Sequence, residues 1–153
     1  MADIEYDLSE LMKGSDEAVK AVMKGLEKGV YMGAERVKIK AVELCPTSNV
    51  EGSPGGALKD SIEMHFKNTD DVFEGVVGTT QFYAPYVEYG TGQRGVESNP
   101  VYEGETPVQH SADWRGMEAQ PFLRPAFYNN QKKVSDLIGK YVMEELSKVN
   151  YNR

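Results

Sequence analysis

His110, Ser111 and Asp113 sit within one short stretch of the chain. A hydroxyl that attacks, an imidazole that takes its proton and a carboxylate that orients the imidazole are the three groups of nucleophilic hydrolysis. Neighbours on a single loop rarely reach the mutual geometry this requires, and no G-x-S-x-G elbow exists to present the serine. A small cytoplasmic hydrolase using His110 and Asp113 stands as an alternative reading with no further support. Gly90, Gly92 and Gly95 spell G-x-G-x-x-G, a pattern that can bring a phosphate to a helix N-terminus. VESNPVYEGETP follows, with Pro100 and Pro107 in it, where a phosphate cradle needs a helix. The glycines therefore read as a flexible exit from EYGT. His65, His110 and Cys45 do not supply the three or four ligands of a metal site. Acids at Asp70, Asp71, Glu103 and Glu105 fit turns and surface faces. No catalytic residue, cofactor or metal is expected.

The remaining chemistry lies in AQPFLRPAF, residues 119 to 127, where Arg124 stands among apolar residues between Pro121 and Pro125. An arginine buried beside Phe122 and Leu123 needs a carboxylate or carbonyl oxygens, and Glu88 is the candidate partner. An exposed arginine at the start of a helix is the other reading. Pro121 holds the incoming chain extended, and Pro125 falls near the first helical position, where its missing N–H costs nothing.

Helices must position these groups. From Ser15 to Leu44 the apolar residues Val19, Val22, Leu26, Val30, Ala34, Val37, Ala41 and Leu44 recur every three or four positions, with Ser15 as N-cap and Asp16 and Glu17 at the positive end. This predicts one helix of roughly 45 Å. Gly25, Gly29 and Gly33 form a stripe along it. Each costs up to about 1 kcal/mol relative to alanine, so the stripe signals close approach of another helix, from this chain or a neighbouring subunit, or else local tolerance or a bend. After the Pro-, Ser- and Gly-rich loop at 45–57, expected to be mobile, Leu58, Ile62, Met64 and Phe66 alternate with polar residues. With NTDD as the turn, this predicts a hairpin whose second strand runs from Val72 to Thr79. Residues 82 to 91 fit a short helix or an edge strand. Residues 92–118 hold little periodicity and read as a long, mobile irregular segment. After Pro125 an amphipathic helix runs to a frayed NYNR tail. Ile4, Tyr6 and Leu8 alternate with acids as a brief edge strand.

The 153 residues suit a single domain, 1–153, of α+β class: a small antiparallel sheet packed by a long N-terminal helix and a C-terminal helix, with long irregular loops. No apolar run nears the roughly 20 residues of a membrane span. The start MADIEYDLSE has acids where a signal peptide has bases. The single cysteine cannot form an intrachain disulfide. A formal charge of −7 with scattered bases disfavours a nucleic-acid clamp, yet suits the wall of a conduit through which DNA passes.

CPTSNVEGSPGGALKDSI, VGTTQFYAPYVEYGT and AQPFLRPAF occur in that order behind the long helix. Together they resemble the signatures of the tailed-bacteriophage neck or tail-completion proteins, over roughly residues 4 to 145. The longer loop at 47 to 55 and the extended 92–118 segment depart from that pattern. The resemblance implies a structural virion protein that joins head to tail as a ring around the DNA channel, hexameric in the virion. Head-completion and tail-terminator proteins would be its neighbours, and it would reside in the host cytoplasm during assembly. A tail terminator capping the tube is the nearest alternative. Candidate interface residues are Gly25, Gly29, Gly33, Tyr86, Glu88, Gly90, Thr91, Phe122 and Arg124.

Overall fold

The computed structural model describes residues 9 to 47, 56 to 69 and 72 to 149. The element order is α1 (Ser9–Leu44), α2 (Ala57–Asp60), β1 (Ile62–Thr69), β2 (Val72–Thr79), α3 (Ala84–Tyr89), α4 (Gly92–Ser98), α5 (Leu123–Tyr128) and α6 (Gln131–Leu146). The class is α+β, with the long helix, the two-stranded antiparallel sheet and the C-terminal helix that the periodicities predict. The expected strand at Ile4 to Leu8, most of the 45–57 loop, the centre of the NTDD turn and the NYNR tail lie outside the described residues.

Helix α1 has 36 residues and extends about 54 Å. It starts at Ser9 rather than Ser15, so Ser15 is an interior position and not the N-cap. The strong helix formers Leu11, Met12 and Lys13 precede Gly14, and one glycine costs too little to stop a helix of this length.

The hairpin has the expected alternation. Ile62 is buried, Met64 and Phe66 are half-buried, and Glu63, His65 and Lys67 face outward. Its register pairs Ile62 with Thr79, His65 with Val76 and Thr69 with Val72. Leu58 does not belong to this strand. It is buried on the short α2, where Gly56 turns the chain with φ +114° and Ser61 Oγ donates to the Leu58 carbonyl at 2.7 Å. Ser61 and Thr79 hydroxyls meet at 2.6 Å and pin the open end of the hairpin.

Two further elements differ from the sequence reading. Residues 92 to 98 are helical rather than irregular. The C-terminal helix is two helices, because the chain turns at residues 129 and 130 between α5 and α6. Asn130 stabilises that turn. It is buried, its Nδ2 donates to the Ala126 carbonyl at 2.9 Å, and its Oδ1 accepts from Arg36 Nε of α1 at 3.2 Å. Pro125 is the third residue of α5, still within the first turn where an N–H has no helical partner.

Helix α6 packs along α1 at the glycine stripe. A Cβ at Gly25 would lie 2.5 Å from the Val142 Cα, at Gly29 2.7 Å from the Ile138 Cα, and at Gly33 2.7 Å from a Val134 methyl. Any side chain on this stripe would push α6 away, so the cost of the glycines is offset by close packing within the chain. The core is small and lies where the C-terminal half of α1 meets α2, β1, α3 and α5. Phe122 is fully buried there, among Val37, Ala41, Cys45, Leu58, Ile62, Ala84 and Ala126.

Candidate functional site

Arg124 is 7% exposed and Glu88 4% exposed, and they meet beside this core. Glu88 is near the end of α3, and its carboxylate faces the N-terminus of α5. Its Oε2 accepts from the backbone N–H groups of Phe122 at 2.8 Å and Leu123 at 2.9 Å, and its Oε1 accepts from that of Arg124 at 2.9 Å. No local side chain caps α5. A glutamate more than thirty residues upstream therefore serves the N–H groups that a helix start leaves without partners.

The arginine side chain closes the arrangement. Its Nε donates to Glu88 Oε1 at 3.1 Å, and its Nη2 donates to the Glu88 carbonyl at 3.0 Å and to Asn99 Oδ1 at 2.6 Å. Nη1 donates to the Pro100 carbonyl at 2.8 Å and to Glu105 Oε2 at 3.1 Å. All five guanidinium N–H donors are thus used, which a lysine ammonium could not reproduce. The guanidinium also stacks over the Tyr89 ring, 4.2 Å from its centroid. Two carboxylates face one cation, and the N-terminus of α5 supplies the remaining positive potential.

Two tyrosines flank the pair. Tyr102 and Tyr128 stack in parallel, with centroids 4.5 Å apart. Burial pushes the Tyr102 hydroxyl above the usual tyrosine range. Burial does the same for Tyr128, reinforced by the Glu105 carboxylate and a hydrogen bond to it.

A second construction closes the chain at residues 91 and 117. Thr91 and Met117 form an antiparallel bridge with N–H···O distances of 2.8 and 2.9 Å. Gly116, at φ +69°, passes so close to the Thr91 carbonyl that a side chain there would overlap it. The G-x-G-x-x-G glycines serve this packing. Helix α4 starts at Gly92, contrary to the reading that no helix follows, and Gly95 lies within it against the His110 ring. The N–H groups of Gln93, Arg94 and Gly95 already donate to the Trp114, Arg115 and Thr91 carbonyls, so they form no phosphate cradle.

No triad is assembled at His110. Its Nδ1 faces the Val108 carbonyl at 3.0 Å and its Nε2 the Tyr89 carbonyl at 2.9 Å. Each ring nitrogen thus faces a backbone carbonyl rather than a nucleophile or an orienting acid. Ser111 Oγ instead meets Asp113 at 3.4 Å. Among the described residues no group of three or more His, Cys, Asp or Glu could hold a metal ion, and no helix is long and apolar enough to cross a membrane.

The nominated interface residues divide accordingly. Gly25, Gly29 and Gly33 face α6 of the same chain, and Glu88, Phe122 and Arg124 are buried within it. Gly90 packs against the 117 to 119 backbone and Thr91 holds the bridge. Tyr86, at 55% exposure, presents its ring to solvent. The sequence reading missed Asn99, Glu105, Tyr102 and Asn130. Of these, Asn99, before Pro100, and Asn130, in an Asn-Asn pair after a helix, carry local turn signals.

A family pattern described as "Bacteriophage HK97-gp10, putative tail-component" matches residues 8–90, more than half of the chain. The chain belongs to the HK97-gp10-like family. Comparison with curated proteins and with solved structures finds no match. The matched stretch of this phage tail-component family contains α1, the hairpin, α3 and Glu88, whereas α4, α5 with Arg124, and α6 lie beyond it.

Proposed function

We propose that this HK97-gp10-like chain forms a ring, six copies around the DNA channel, at the head–tail junction of a tailed phage or prophage. It joins head to tail by docking rather than by chemistry. The observation that carries this reading is the placement of large apolar side chains on the outside, while among the described residues every buried side-chain polar atom has a partner. Val72 and Val76 are exposed on the hairpin, Val19 and Ile39 on α1, and Tyr86, Trp114 and the 84% exposed Phe82 around α3. Single exposed apolar residues are ordinary. Here they lie on several separate elements, as suits a subunit that meets two neighbours through different faces and partners above and below. Among the described residues, both outer edges of the two-stranded sheet are also unpaired.

The axial partners are a head-completion protein and a tail terminator. The net charge of −7 leaves DNA free to slide past without a phosphate clamp. Assembly takes place in the host cytoplasm and ends in the virion.

Deleting the gene tests the reading. Filled heads beside unattached tails of normal length are expected. Overlong tails would replace it with tail termination, and normal yield of joined particles would remove it. His110→Ala with Asp113→Ala should leave joining intact, and loss of joining by a folded double variant would favour a hydrolase.

A further inference from the structure

We infer that residues 3 to 8 of a second copy of this chain lie as a third strand along the free edge of β2, in the apolar groove between β2 and α6. The inference deepens the ring reading, from which it takes only that copies of the chain associate. The groove, of about 370 Å³, has Val30, Ala34 and Val37 of α1 as its floor, Val77 of β2 on one side, and Val134 and Ile138 of α6 on the other.

The sheet edge that borders this groove is unprotected. β1 occupies one side of β2, and among the described residues no strand pairs with the other. A Cβ at Gly75 would lie 2.5 Å from that of Ala34, so β2 rests directly on α1 and its free edge looks across the floor to α6. Exposed edges are commonly blocked by lysine, proline or a bulge. The β2 sequence VFEGVVGT contains no basic residue and no proline, and it pairs with β1 in unbroken register from Val72 to Thr79. An edge of this kind accepts a further strand through its free backbone groups.

The sequence before α1 has the pattern that this place requires. Ile4, Tyr6 and Leu8 fall on one face of an extended segment, and Asp3, Glu5 and Asp7 on the other. Laid beside β2, the apolar set faces the α1 floor on the same side as Val77, and the acids face solvent. At about 3.3 Å per residue the segment spans about 20 Å, within the length of the eight-residue β2.

The reach of the chain assigns the segment to another copy. Residues 4 to 8 are tethered to Ser9, the start of α1, and even fully extended they stay within about 18 Å of it. Val30, the first α1 residue of the groove, lies roughly 32 Å along the helix. A chain therefore falls short of its own groove but can fill that of a neighbour.

Hydrogen exchange on the purified full chain tests this. As the parent is concentrated, the β2 amides that point away from β1 should slow at least about tenfold. Tyr6→Asp should abolish the effect and leave the melting temperature unchanged. A peptide of residues 2 to 9, added in excess to the Tyr6→Asp chain, should restore the protection, and the same peptide carrying Tyr6→Asp should not. Failure of the native peptide to slow these amides would overturn the inference, as would concentration-dependent slowing that survives Tyr6→Asp. Slowing in a parent of monomer mass would assign the groove to the chain's own segment and overturn exchange between copies. Failure of the ring reading is read separately, from normal joining after gene deletion, on which the peptide result does not depend.

Discussion

Glu88 Oε1 accepts from the backbone N–H of Arg124 and from the Nε of the same residue, at 2.9 and 3.1 Å. One carboxylate oxygen thereby fixes both the start of α5 and the rotamer of the side chain that α5 carries. Removing either partner strands the other charge in a buried site, which costs about 3–5 kcal/mol.

Glu88→Gln retains the size of the side chain but turns an amide NH₂ toward N–H groups that need an acceptor. A loss of about 3 kcal/mol or more in urea unfolding is expected, and Arg124→Lys should lose a comparable amount because an ammonium cannot reach five acceptors. Tyr86→Ala, on the surface, should stay within about 0.5 kcal/mol of the parent. Near-parental stability of both Glu88→Gln and Arg124→Lys would show that the buried pair contributes little.

Gly29→Ala tests the helix contact. Alanine is the better helix former by up to about 1 kcal/mol, but its Cβ would lie 2.7 Å from the Ile138 Cα. Overpacking of this kind costs about 1–3 kcal/mol, so the melting temperature should fall by several degrees. Gly139→Ala, where a Cβ meets nothing within 4 Å, should hold or raise it. Equal melting temperatures for the two variants would contradict the packing account.

The far end of the same helix pair is sensitive to acid. Glu144 is held below the ordinary 4.5 first by the charge of Lys28, and Glu145 first by its hydrogen bond from Lys148 and then by that from Lys24. Both folded values are depressed, so their contribution is fully present above about pH 4.5 and disappears as pH falls through the lower folded values. Melting temperature followed between pH 6 and 3 should fall less steeply in Lys28→Met with Lys148→Met than in the parent. Parallel curves would assign the acid sensitivity elsewhere.

Cys45 supplies a reporter of the core. Burial pushes its thiol above the ordinary 9.0, against the charge of Lys59 that lowers it. The thiolate is the reactive form. Alkylation at pH 8 should be slow in the native chain and accelerate with the urea unfolding transition. Rapid stoichiometric labelling of the native protein would contradict the burial.

The sequence made legible what depends on local pattern. The 3.6-residue spacing of Val22 to Ala41 and the alternation of Ile62 to Phe66 are one-dimensional traces of buried faces, and both elements exist as read. Leu58 reads as strand because, an even six residues before Met64, it fits both a strand alternation and a buried helical turn; the left-handed Gly56 decides between them. Asn130 split the last helix through a tertiary bond to Arg36, which no local propensity encodes. The Glu88–Arg124 pair could be nominated because a cation among apolar residues requires a counter-charge. Asn99 and Glu105 could not, since their roles arise only once the chain has returned to α5.

The bridge between Thr91 and Met117 has a further consequence. The family pattern ends at residue 90, one position before the chain enters this closure. With the two ends of the excursion already joined, a change in its length is isolated from the helices outside: each doubling of a flexible loop adds only about 0.6 kcal/mol of closure entropy. Residues 106 and 107, ahead of the contacts of Val108, His110 and Ala112, are where insertions would be absorbed most easily. The length of a phage tail component can thus change there while the joint that closes the excursion is kept.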